Sequence, residues 1–249
     1  MRSALQNLLK GPAVNLTEIL SAPPDQFAAE SRGLASWAAR SIEAMAAASK
    51  AFSTQPALEA AQAVASDWEE ALGVVARVLD RFGGQHAHEV GLWHAALFLC
   101  RRMVEVLGDR FLGQLDTLWP LLYGSMDQGD LTDITGFAHY VVCQYHGKTE
   151  PLLQKWLGVL FMRPYGVWLS MPEDSEQLRR EKLELGCAML QLLREVAQRC
   201  PTVLLEPLLA AGDLGHGLAS FLMHGLKEPR ESRALFFAAG AWGSLLEAA

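Results

Sequence analysis

The sequence predicts an all-α fold, an α-solenoid of helical hairpins wound in the right-handed sense. Three observations carry that expectation. The chain is rich in Leu and Ala and poor in β-branched residues, a bias towards helix because branched side chains lose rotamer freedom against the preceding turn. From Val90 onward, apolar residues recur at three- and four-residue steps, the period of a helix with one buried face. Equivalent helices then return at steps of roughly forty residues, the period of HEAT-like repeats, in which each hairpin buries its apolar face against its neighbours. With 249 residues, 51% of them hydrophobic, the chain has ample material for such a core.

Residues 1–85 read as a weakly patterned helical region and residues 86–249 as the repeats. Pro23-Pro24 breaks the Ala-rich start, and a long helix is expected from about Asp25 to Ala51. Pro56 suits the first position of a helix that runs through Trp68 and Leu72 towards Phe82, where Gly83-Gly84 ends it. In the next helix Trp93, Leu97, Cys100, Val104 and Leu107 make one face, and Gly108 suits the left-handed position beyond its end. A partner helix from about Leu112 to Met126 carries Leu115, Leu118 and Leu122, with a bend at Pro120. Asp130 is placed as an N-cap before the stripe Leu131, Ile134, Ala138, Val141 and Tyr145, which Gly147 stops.

Pro151 then opens a helix with Leu153, Trp156, Leu160 and Phe161 inward. After Pro172-Glu173-Asp174-Ser175, a long helix runs to about Arg199, lined by Leu178, Leu185, Met189, Leu192 and Val196. Short helices over Leu204 to Ala210 and Leu214 to Leu226 follow, and Pro229 opens the last, Glu231 to Ala248. The pattern stops in mid-repeat with no polar terminal face, so a longer array or a covering partner is expected there.

The net charge of −7 argues against a general nucleic-acid coat, since non-specific binding is driven by Lys and Arg displacing counterions. A local basic strip on one face remains compatible with it. The four cysteines, Cys100, Cys143, Cys187 and Cys200, are far apart and read as buried free thiols. His86, His88 and His94 with Glu89 lack the three- or four-residue ligand step of a helical metal site, so no metal or other cofactor is expected. Gly212-Asp213-Leu214-Gly215-His216-Gly217 lacks the Lys-Ser/Thr of a phosphate-binding loop and reads as a turn. No serine lies in a nucleophile elbow and no Cys–His pairing is visible from spacing, so a non-enzymatic protein is expected. Apolar runs such as Leu235 to Leu246 are too short for a bilayer, and Leu152 to Leu169 is interrupted by Arg163-Pro164, so no membrane insertion is expected.

Some of these segments have a more specific likeness. The Arg102-Met103-Val104-Glu105-Val106-Leu107-Gly108 ending and the Phe111 to Leu122 helix resemble a repeat of exportin-T, the nuclear export receptor for tRNA. The Asp130-Leu131 step, the helix through Phe137 and the Leu152-Leu153-Gln154-Lys155 start continue in the same order. An acidic, Pro-containing link ending in Leu178-Arg179-Arg180 comes next, and Gly225-Leu226-Lys227-Glu228-Pro229 to Trp242-Gly243 completes the likeness. It covers about residues 90 to 249 and lies in the family's C-terminal half. The resemblance implies part of an importin-beta-like (karyopherin) receptor that wraps tRNA together with the GTP-bound form of the Ran GTPase. It implies shuttling between nucleus and cytoplasm through the nuclear pore. The family's principal Ran-binding region is N-terminal, and nothing in this chain resembles it, so either a C-terminal piece of the receptor or a divergent relative that cannot transport alone is expected.

If RNA is bound, basic side chains must meet its phosphates, and Arg101, Arg102, Lys148, Arg179, Arg180 and Lys182 are the candidates. Arg179 and Arg180 also match the family pattern. For any single one, an ordinary solvated pairing with Glu105, Glu181 or Glu184 is the weightier reading. The seven tryptophans are assigned to the core; exposed ones would instead dock the phenylalanine–glycine repeats of nuclear pore proteins. The alternative function is a protein–protein interaction scaffold that keeps the repeats and binds no RNA.

Overall fold

The computed structural model describes residues 2–50, 64–82, 91–124, 128–210, 212–227 and 232–249. These residues are all-helical, with no strand among them. The helices are α1 (Arg2–Ser21), α2 (Pro24–Ser49), α3 (Ala65–Phe82), α4 (Leu92–Leu107), α5 (Leu112–Gly124), α6 (Leu131–Tyr145), α7 (Glu150–Ser170), α8 (Glu176–Arg199), α9 (Pro201–Ala210), α10 (Asp213–Lys227) and α11 (Ser232–Ala248). The breaks expected at Pro56 and at Gly83-Gly84, and the histidines His86 and His88 with Glu89, lie outside the described residues. The chain divides into two compact units, Met1–Asp127 and Gln128–Ala249. The sequence divides by strength of pattern near residue 85, whereas packing divides it after Asp127.

In the first unit alternate helices are neighbours: α2 lies on α4, α1 on α3 and α3 on α5, with α1 against α2 tying the rows together. The weakly patterned start buries Leu16, Ile19, Ile42 and Met45 completely, and a polar clasp adds to that core. Arg81 on α3 donates to the carbonyl oxygens of Ile19 (3.3 Å), Leu20 and Ala22 (2.5 Å) at the end of α1, and lies 4.2 Å from the Phe27 ring centre. Those carbonyls are acceptors that a helix C-terminus leaves without an intrahelical donor, and the guanidinium supplies both donors and the favoured charge. The predicted stripe of α4 is buried throughout, from Trp93 to Leu107. Burial pushes the Cys100 thiol up to about 12, so it behaves as a small apolar side chain.

In the second unit α8 is the central helix, packed on α6 and α11, while α10 meets α7, α9 and α11. Ser175 caps α8, its side-chain oxygen accepting from the Leu178 N–H at 3.2 Å. Asp130 occupies the predicted N-cap position of α6 but makes no capping hydrogen bond, because a short 3₁₀ turn over Gln128–Asp130 precedes the helix. Arg163-Pro164, which breaks the apolar run of this segment, lies inside α7, and the Pro164 ring is buried there. Trp156, expected inward, is half-buried and lies 5.1 Å under Lys155, while Leu157 takes the core position. No helix among the described residues is long and apolar enough to cross a membrane.

The two units share one local device. α4 ends at Gly108 (φ 53°, ψ −136°) and a four-residue 3₁₀ turn leads into α5. α6 ends at His146 (φ 51°, ψ −135°) and a four-residue 3₁₀ turn leads into α7. The stop is therefore made at His146, not at the predicted Gly147. A Cβ at such a φ crowds the neighbouring carbonyl, so glycine suits the first junction and histidine is strained at the second. Gly108→Ala is expected to destabilise by about 1–2 kcal/mol. His146→Gly should stabilise by about 0.5–1 kcal/mol, because strain relief exceeds the added chain entropy. Urea unfolding of the two variants should therefore give midpoint shifts of opposite sign; equal signs would refute the shared-junction account.

Candidate functional site

The six basic candidates divide between the units. Arg101 and Arg102 lie on α4 in the first, and Lys148, Arg179, Arg180 and Lys182 in the second. Arg101 is exposed. Arg102 is half-buried and engaged: it pairs with Glu105 at 2.7 Å and reaches the Ser49 side chain and carbonyl at 3.3 and 3.5 Å. It therefore ties α4 to the end of α2. Lys148 is exposed on the 3₁₀ turn between α6 and α7.

The other three stand on the first turns of α8, whose start is fixed by the Ser175 cap and by the link from Met171 to Asp174. Lys182 reaches back over that link, donating to Glu173 at 2.7 Å and to the Met171 carbonyl at 3.3 Å, with its ammonium 5.2 Å from the Trp168 ring centre. The hydrogen bond and charge of Lys182 hold the Glu173 carboxyl below the usual carboxylate range. Arg179 donates to the Glu173 carbonyl at 3.1 Å and pairs with Glu176 at 3.5 Å. Arg180 is exposed and shares a shallow depression with Glu176, Glu181 and Glu184. The expected pairings with Glu181 and Glu184 are thus replaced at Arg179 and Lys182 by Glu173 and Glu176, which folding of the link brings near. Beside Lys182 a cleft of about 380 Å³ opens between α7, α8, α10 and α11, lined by Trp168, Leu190, Phe221 and His224. It offers aromatic surface, a rim of Glu173, Arg179 and His224, and the buried Cys187 thiol in its lining.

Chemistry of a different kind lies where α6 meets α8. His139 and Cys143 are four residues apart on α6, one helical turn, and their Nε2 and Sγ atoms are 3.3 Å apart. Glu195 on α8 completes a group in which one ligand atom from each residue lies within 4.8 Å of the others. Arg199, one turn further along α8, donates from Nε to Glu195 Oε1 at 2.9 Å and holds that carboxylate in place. Burial lowers the His139 pKa, opposed by the charge of Glu195 and reinforced by that of Arg194. Burial, then the charge and hydrogen bond of Glu195, raise the Cys143 pKa against the pull of Arg199. A neutral imidazole beside a protonated thiol is not the thiolate–imidazolium pair of a nucleophilic enzyme; the imidazole can ligate as it stands, and the thiol once its proton leaves.

This cluster corrects two sequence expectations. Cys143 is only half-buried, unlike Cys100, Cys187 and Cys200, and a Cys–His pairing does exist. The signal was present as His-x-x-x-Cys on one helix, and it is lost when cysteines are compared only with one another. Glu195 has no sequence signal tying it to the pair, because only packing of α6 on α8 brings it there. The glycine-rich stretch near the cleft is also corrected. It is mostly the first turns of α10, where Gly215 and Gly217 let α9 and α7 approach. In comparisons with known proteins, no family model matches the chain, and neither a curated protein nor a solved structure is significantly similar to it.

Proposed function

We propose that the chain is part of an exportin-T-like receptor that takes part in Ran-GTP-dependent export of tRNA from the nucleus, its helical hairpins continuing as a right-handed solenoid. The observation that supports this reading best is the repeated junction. A helix, a residue with positive φ, a four-residue 3₁₀ turn and a partner helix occur at Gly108 and again at His146, about one forty-residue repeat later. In this reading Arg101 of the first unit and Lys148, Arg179 and Arg180 of the second meet phosphates, with Arg102 and Lys182 each holding the local surface of its own unit. Binding is spread over many weak contacts that read shape rather than sequence.

The purified chain should retard tRNA at low salt, more strongly with Ran-GTP, and the affinity should fall steeply at moderate salt as counterion release is lost. No retardation at low salt, with or without Ran-GTP, would reject the cargo reading. An Arg179→Glu, Arg180→Glu double variant that binds normally would reject only that choice of residues.

A second reading, a protein-only scaffold, is favoured by the charges around α8. Glu173, Asp174, Glu176, Glu181 and Glu184 surround Arg179, Arg180 and Lys182. That excess of acid screens the basic side chains from phosphate.

A further inference from the structure

We propose that His139, Cys143 and Glu195 form a zinc site that clips α6 to α8, a property independent of what the chain carries. Zinc takes a thiolate, an imidazole and a carboxylate in tetrahedral geometry, with bonds of about 2.3, 2.0 and 2.1 Å. Two such donors are then about 3.3–3.6 Å apart across the metal. His139 Nε2 and Cys143 Sγ already stand at 3.3 Å, and all three donor atoms lie within 4.8 Å, so little movement closes the set. The four-residue step on α6 is the spacing that puts two ligands on one helical face.

Charge supports the same metal. Cys143 as thiolate and Glu195 as carboxylate supply two negative charges against the dication, while His139 remains neutral; the thiol proton leaves to solvent on binding. Arg194 and Arg199, the cations nearest the cluster, then face a neutral centre. Arg199 on Glu195 Oε1 is the outer partner that orients a ligating carboxylate. Half-burial of all three ligands leaves a path for the ion and a fourth position for water. The ligands come from the two helices that form the main packing contact of α6, so the ion crosslinks the hairpin layers within this unit.

The test uses the full chain, freed of metal with a chelator and titrated with cobalt(II), which absorbs strongly when bound by thiolate. One cobalt per chain is expected, with a thiolate-to-metal charge-transfer band that zinc abolishes by displacement. Cys143→Ser should lose the band, and His139→Gln should weaken binding at least about 100-fold. Arg199→Gln, which leaves every ligand in place, should weaken it about 10-fold. Thermal unfolding without metal checks that each variant folds, and zinc should raise the unfolding temperature most in the native chain, less in Arg199→Gln and least in the ligand variants. Absence of the charge-transfer band in the native chain overturns the proposal. So does its persistence in Cys143→Ser, which would move the thiolate to another cysteine, and so does equal affinity in the native and His139→Gln chains.

Discussion

Phe137→Ala is expected to lower the stability of the Gln128–Ala249 unit by about 3–5 kcal/mol, the range for emptying a large aromatic site in a core that relaxes only in part. Phe137 is fully buried on α6, whose principal packing partner is α8. The same face carries Leu131, Ile134, Ala138 and Val141, all buried, so no flexible side chain stands at the surface ready to fill the space. Losing part of this contact should also loosen the approach of Glu195 to His139 and Cys143, coupling the core to the cluster. Gln144→Ala, exposed on the same helix, should stay within about 0.5 kcal/mol of the native chain. Urea unfolding followed by circular dichroism, with hydrogen exchange to assign the loss to the second unit, measures both. A Phe137→Ala loss below about 1 kcal/mol would mean that this face is not the core of the unit.

Gly215→Ala is expected to be at least as damaging for its size, about 3 kcal/mol or more for one methyl group, above the usual range for overpacking. A Cβ at Gly215 would fall on the Pro207 carbonyl oxygen and close to its carbon, so backbone rather than a mobile side chain must yield. The link from α9 to α10 spans only residues 211 and 212, which leaves almost no chain to absorb the shift. Gly212→Ala, a few residues away with open space at its Cβ, provides the contrast and should be near neutral. Thermal unfolding of the pair separates close approach from the general effect of replacing glycine. Equal behaviour of the two variants would contradict the tight α9–α10 turn.

The helices themselves were legible because their signal is local. The stripe from Trp93 to Leu107, the break at Pro23-Pro24 and the Ser175 to Arg199 helix need only period, caps and proline, and each lies where those signals place it. The errors occur where a local rule met a tertiary counterweight. The turn after Tyr145 places His146, rather than the adjacent Gly147, at positive φ. Gly215 reads as turn by composition, yet it serves a helix–helix approach.

The candidate chemistry was legible in proportion to how much of it lies on one element. His139 and Cys143 share a helical face, and their spacing could have found them; Glu195 is more than fifty positions from His139 along the chain. The basic residues were identifiable as types, but their partners were not. Lys182 finds Glu173 because the Met171–Asp174 link folds back over α8, and Arg81 clasps the end of α1 from far along the chain. Composition and period thus specify helix, its apolar face and many of its ends, since those depend on contacts within a few residues. Which helices become neighbours, which charges are neutralised and which donors converge are set by burial of those faces against one another, and no window of sequence contains that free energy.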